Sequence, residues 1–159
     1  AKSYRNTIEI SEYAGKILEK ASFGAYKITP VIRHGREVAF YHMHVNEKEM
    51  AEKTIEILAD IKSRGYDTAA VICRDEEEAQ RVRGLLNLDG GKELFTKGVM
   101  ILPISLTKGL EFDAVLLWNP SILAYGENEA EAKLLYVAVT RALHELHIVY
   151  KDELSGLFA

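Results

Sequence analysis

Ile101-Leu102-Pro103-Ile104-Ser105-Leu106-Thr107-Lys108-Gly109-Leu110-Glu111-Phe112-Asp113-Ala114-Val115-Leu116-Leu117-Trp118 sets two apolar runs on either side of a short polar segment. It reads as strand, polar turn, strand. Neither run alternates apolar with polar, which is the pattern of strands buried on both faces of a mostly parallel sheet. In such sheets the loops at the carboxyl ends of strands carry ligand chemistry, so the turn from Thr107 to Glu111 is the first functional candidate.

Outward from this stretch, Thr68 to Cys73 and His144 to Tyr150 read as further strands, and Glu37 to Val45 as another. Asn6 with Glu9, Asn46 with Glu49 and Asn128 with Glu131 have capping-box spacing, and each pair opens a segment of helical period. The first helix carries Ile10, Tyr13, Ala14, Ile17, Leu18 and Ala21 on one face. The second carries Met50, Thr54, Ile57, Leu58 and Ile61 and closes near Gly65. A third starts at Asp75 to Glu78 and turns Ala79, Val82, Leu85 and Leu86 inward. The last, Glu127 to Leu143, is apolar nearly all round from Leu134 to Val139, the mark of a buried helix. Strands alternating with amphipathic helices predict a three-layer α/β domain on a mostly parallel sheet, over residues 1–150, with 151–159 as a tail. Residues 22–36 and 87–98 read as connecting loops.

With 159 residues, 48% of them hydrophobic, the chain can bury the core of one domain. A formal charge of −4 excludes a broadly basic nucleic-acid binder, so any grip on phosphates must be local. The lone Cys73 sits inside an apolar run and reads as a small buried hydrophobe, which rules out a disulfide framework and a cysteine metal site. No run reaches the roughly 20 apolar residues of a membrane span, and no basic-then-apolar leader is present, so a cytoplasmic protein with no membrane partner is expected. The chain begins almost inside a helix signal, as a segment of a longer protein does.

Several residues invite a chemical reading. His42 and His44 share a strand face, yet no third metal ligand follows at useful spacing, and His144 and His147 read as strand-edge residues, so none of the histidines predicts a metal site. The acids Asp75 to Glu78 follow a buried strand but stand where the helix dipole favours them. Gly90-Gly91-Lys92-Glu93 lacks both the spacing and the hydroxyl of G-x-x-x-x-G-K-[ST]. Two arginines are harder to dismiss. Arg5 stands at a helix amino terminus, where the dipole disfavours a cation unless an anion is present. Arg141 lies one turn after Val137 on a face that otherwise reads as interior.

Three stretches then fall together. Ser3-Tyr4-Arg5-Asn6-Thr7 is similar to an N-Y-R-S-T motif, Thr107 to Phe112 to a K-G-L-E-F motif, and Leu135-Tyr136-Val137-Ala138-Val139-Thr140-Arg141-Ala142 to a Y-V-A-x-T-R motif. Ala70 to Arg74 is a weaker echo of a strand ending in tyrosine-arginine. In this order, on strand and helix as required, they resemble motifs IV, V and VI of the second RecA-like (2A) domain of superfamily 1 helicases of the UvrD/Rep/PcrA type, and most of all the compact HelD-like branch.

The resemblance implies a RecA-like, P-loop-NTPase-like fold without its own P-loop, and it gives roles to particular residues. Tyr4 would stack on the adenine of ATP, Arg5 and Arg141 would reach the γ-phosphate, Gly109 would let the backbone approach the nucleotide, and Glu111 would contact the ribose. Ser105, Thr107 and Lys108 would meet single-stranded DNA. The chain departs from the pattern in having Ser105 where the motif usually has histidine, and in having only a short loop where UvrD-type enzymes insert a 2B subdomain. It also lacks Walker A and Walker B. The resemblance therefore implies half of a composite ATP site, inactive alone, with Mg2+ held by an N-terminal RecA-like domain of the same full-length protein. A HelD-like protein can instead use such a motor to remodel RNA polymerase.

Overall fold

A computed structural model of the chain describes residues 6–20, 35–88 and 98–158. Within these, five parallel strands form one sheet: β1 (Ala39–His42), β2 (Ala69–Cys73), β3 (Val99–Pro103), β4 (Phe112–Trp118) and β5 (Ala142–Tyr150). Their order across the sheet is β1-β5-β4-β2-β3, which makes β4 the central strand. The helices are α1 (Ile8–Lys20), α2 (Glu47–Ser63), α3 (Glu76–Leu88) and α4 (Glu129–Val139).

Because side chains alternate across a strand, each central strand feeds two cores. Ala70, Ile72, Val115, Leu117, Leu146 and Ile148 pack with α1 and α4, while Ala69, Val71, Cys73, Ala114, Leu116 and Trp118 pack with α2 and α3. All five β2 residues are buried, as a continuous apolar run in a two-sided sheet must be. The three-layer expectation holds, and Cys73 is a buried free thiol.

Several local expectations change. Asn46 and Asn128 cap their helices by accepting the Glu49 and Glu131 amides at 2.9 and 3.0 Å. The first helix instead starts one residue late. Thr7 Oγ1 accepts from the Ile10 amide at 3.3 Å, and Asn6 spends its side chain elsewhere. α4 ends at Val139, short of Leu143, and is buried on one side through Ala132, Leu135, Ala138 and Val139, with Leu134, Tyr136 and Val137 half-buried. β1 is four residues long because it pairs only with β5, and the ladder runs out opposite Tyr150.

The expected tail folds back onto the domain. Asn119 takes a left-handed φ of 44°, which asparagine tolerates better than most residues. Its side-chain oxygen accepts from the Lys151 and Asp152 amides at 3.0 and 3.2 Å. Leu157 and Phe158 are buried in the core shared with α1, where Phe158 lies 6.0 Å from the Tyr13 ring.

His147, which reads as a strand-edge residue in the sequence, is buried. Its Nε2 lies 2.7 Å from Glu145 Oε1 and its Nδ1 lies 2.9 Å from the Tyr41 hydroxyl. Glu145 is 1% exposed and also receives Arg64 and Arg36, so the end of α2 is tied to β5 by charge-assisted bonds. Burial alone would push the Glu145 carboxyl up, but the hydrogen bonds from His147 and Arg64 more than reverse this and hold it at about 2.

Candidate functional site

β3 and β4 both run parallel to β2, so residues 104–111 must return from the carboxyl end of β3 to the amino end of β4. Five residues of strand make that distance ~16 Å. A short 3-10 turn, Ile104–Leu106, begins the return, and Ile104 anchors it in the α1/α4 core. The Thr107 to Glu111 turn consequently sits at the amino edge of the sheet. The expectation from the sequence had put the ligand loop at the carboxyl ends of strands, and parallel pairing with a short crossover reverses it.

The turn is closed by the Leu110 amide on the Thr107 carbonyl at 3.0 Å. Its third residue, Gly109, takes a φ of +83°, as type II turns require. A Cβ built there meets nothing within 4 Å, so backbone conformation and not crowding demands glycine. Thr107 is fully buried, and its hydroxyl donates to the Ile104 carbonyl at 2.8 Å. Ser105, Lys108 and Glu111 are exposed on the same segment.

Arg141 lies against this turn. Thr140 caps the carboxyl end of α4, and Ala142 opens β5 opposite Phe112. The Arg141 amide donates to the Ala138 carbonyl at 3.2 Å, and its own carbonyl accepts from the Phe112 amide at 2.9 Å. The guanidinium donates from Nε to the Val137 carbonyl at 3.0 Å, from Nη1 to the Leu110 carbonyl at 3.3 Å, and from Nη2 to Thr140 Oγ1 at 3.4 Å. Among the described residues these partners are carbonyl and hydroxyl oxygens, with no carboxylate. The two stretches that the sequence marks separately are thus one constellation.

A third stretch joins it. Asn6 Nδ2 donates to the Thr140 carbonyl at 2.9 Å and to the Ala142 carbonyl at 2.6 Å. Tyr4 and Arg5 lie outside the described residues, while Asn6, next in the chain, is docked on either side of Arg141. Sequence reasoning missed this role for Asn6, because asparagine three residues before a glutamate reads as a helix cap. The only available signal was that Thr7 could cap equally well.

The carboxyl edge looks different. Between the ends of β2 and β4, where neighbouring connections diverge and α/β ligands commonly bind, lies an open crevice of about 580 Å³ lined by Arg74, Asp75, Glu78, Arg81, Ser121 and Leu123. Its cations are already committed. Arg74 donates to the Ala124 carbonyl at 2.8 Å and to Glu131 Oε1 at 3.0 Å, and Arg81 pairs with Glu47 at 3.0 Å. Arg141, without a carboxylate among the described residues, is the cation that an added anion would suit. Among the described residues no group of three His, Cys, Asp or Glu is placed to hold a metal ion, and no helix is long and apolar enough to cross a membrane.

Comparison with known proteins fits this constellation. Residues 98–149, which span the Thr107 to Glu111 turn and Arg141, match the UvrD-like helicase C-terminal domain. No curated protein matches the chain. Among solved structures, the C-terminal domain of a possible DNA helicase from Lactobacillus plantarum WCFS1 aligns with a TM-score of 0.79 and 31% identity, over 99% of this chain and 92% of that one. The fold is therefore RecA-like, and the chain belongs to the UvrD-like helicase C-terminal domain family.

Proposed function

We infer that this chain is the carboxyl-terminal motor domain of an ATP-dependent superfamily 1 DNA helicase or translocase, and that it supplies half of a composite ATP site. The observation that carries this reading is the setting of Arg141. It sits at the amino edge of the central strands, beside the Thr107 to Glu111 turn, with carbonyl and hydroxyl partners that leave its charge uncompensated among the described residues. An N-terminal RecA-like domain facing this edge would place the γ-phosphate of ATP against Arg141, with Arg5 beside it and Tyr4 on the adenine. Gly109 and Glu111 would border the nucleotide. Mg2+ would be held by that other domain and would neutralise charge on the transferred phosphoryl group.

Ser105 is exposed just before the turn and Lys108 within it, so a bound single strand would meet them there. Thr107 acts differently, since its hydroxyl is committed to the Ile104 carbonyl and shapes the turn. Closure of the two domains on ATP would move Arg141 and this segment together, because they are joined through the Leu110 carbonyl. That join is how nucleotide state would reach the strand.

The test is Arg141→Ala in the protein that carries both RecA-like domains. DNA-stimulated ATP turnover should fall by about 10³ to 10⁵, the range for arginine fingers, with nucleotide affinity nearly unchanged. Turnover within about threefold of wild type removes the finger assignment. Steeply salt-dependent, sequence-independent binding to oligonucleotides supports the strand partner. Retention on RNA polymerase with little strand affinity points to the remodelling role instead.

A further inference from the structure

We propose that Asn6 is the positioning residue for Arg141. The proposal rests on the motor reading above. Asn6 is 2% exposed, and its single amide NH2 group has two hydrogens, one for each of the carbonyls that flank Arg141. One of these carbonyls belongs to Thr140, the residue that caps the carboxyl end of α4, where carbonyls have no partner within the helix. The other opens β5. A planar donor that serves both fixes the peptide plane that leads into Arg141 and the one that follows Ala142, and so brackets the residue.

The remaining backbone groups of Arg141 are fixed as well, its amide by Ala138 and its carbonyl by Phe112. The direction in which the guanidinium leaves the backbone is therefore set by Asn6 from one side and by β4 from the other. The effect of Asn6 on the site is exerted through Arg141. Aspartate has acceptors where two donors are needed, serine has one donor on a shorter arm, and alanine leaves two carbonyls unserved.

The experiment is a double-mutant cycle between Asn6→Ala and Arg141→Ala in the two-domain protein, read as kcat and KM for ATP in the presence of single-stranded DNA. Asn6→Ala alone is expected to lower kcat by about 10- to 100-fold, with KM within about threefold, because misplacement of a reacting group by an ångström costs on this order. In the Arg141→Ala background it should change kcat by less than about twofold, since the residue through which it acts is gone. Asn6→Ser, which keeps one donor, should fall between wild type and Asn6→Ala. A loss of kcat that is the same in both backgrounds, or a kcat within about twofold of wild type for Asn6→Ala, overturns the proposal. If Asn6→Ala does not fold, the same criteria apply to the cycle with Asn6→Ser. If Arg141→Ala itself leaves turnover unchanged, the motor reading and this proposal fall together. If it abolishes turnover while Asn6 variants do not matter, only this proposal fails.

Discussion

Arg64 grips both carboxylate oxygens of Glu145, Nε on Oε2 at 2.7 Å and Nη2 on Oε1 at 2.6 Å, across 81 positions of sequence. Two parallel bonds of this kind hold the loop after α2 in register with the middle of β5. Arg36 and His147 add to the same carboxylate, so its negative charge is compensated although water is excluded. The native state therefore prefers the ionised form. With a folded value of about 2, well below the ordinary carboxylate range, Glu145 stabilises the protein above its unfolded value, and that contribution is lost as pH falls from about 4.5 through about 2. Urea unfolding as a function of pH should show wild type more stable than Glu145→Gln by on the order of 3 kcal/mol near neutrality, with the gap closing over that acid window. A gap that stays constant down to the lowest pH would mean that the carboxylate is not held ionised by its partners.

Gly109 gives a different kind of prediction, because its constraint is purely conformational. Its φ of +83° suits glycine, and space for a Cβ is open. Gly109→Ala should lower stability by about 1 to 2 kcal/mol through the left-handed backbone alone. Gly109→Asn should lose less, since asparagine visits that region more readily. Urea midpoints with an unchanged denaturant slope are the measurement. An alanine variant as stable as wild type would show that the turn can adopt another conformation.

The carboxyl-terminal residues make a third case. Leu157 is 2% exposed and packs in the core that α1 and α4 share. Leu157→Ala should cost about 3 kcal/mol, within the range for emptying a buried leucine site. A thermal midpoint within a degree or so of wild type would return residues 151–158 to the status of a dispensable extension.

The elements were legible in the sequence to the extent that they are local. Ala69 to Cys73 is a buried strand because its apolar run is unbroken, and Met50, Ile57, Leu58 and Ile61 form one helix face because they repeat at helical period. Motif order placed the Thr107 to Glu111 turn and Arg141 on the right kinds of element. The readings that failed depended on a partner far away in the chain. Asn6 reads as a cap until Thr140 and Ala142 claim its amide. His147 reads as strand-edge until Glu145 and Tyr41 enclose it. The last residues read as a tail until Asn119 turns to receive them.

Local pattern in the chain thus specified which segments are strand and helix, that the sheet is parallel and buried on both faces, and that the charged candidates are Arg5, Arg141 and the Thr107 to Glu111 turn. Tertiary structure alone decided where they meet. The strand order β1-β5-β4-β2-β3 sets β4 beside β5, so a turn near residue 110 touches Arg141 at the amino edge of the sheet, and residue 6 closes on both sides of it. Hydrophobic period is written in neighbouring residues. Strand order and the hydrogen bonds it makes possible depend on which buried surfaces fit one another once the whole chain has collapsed.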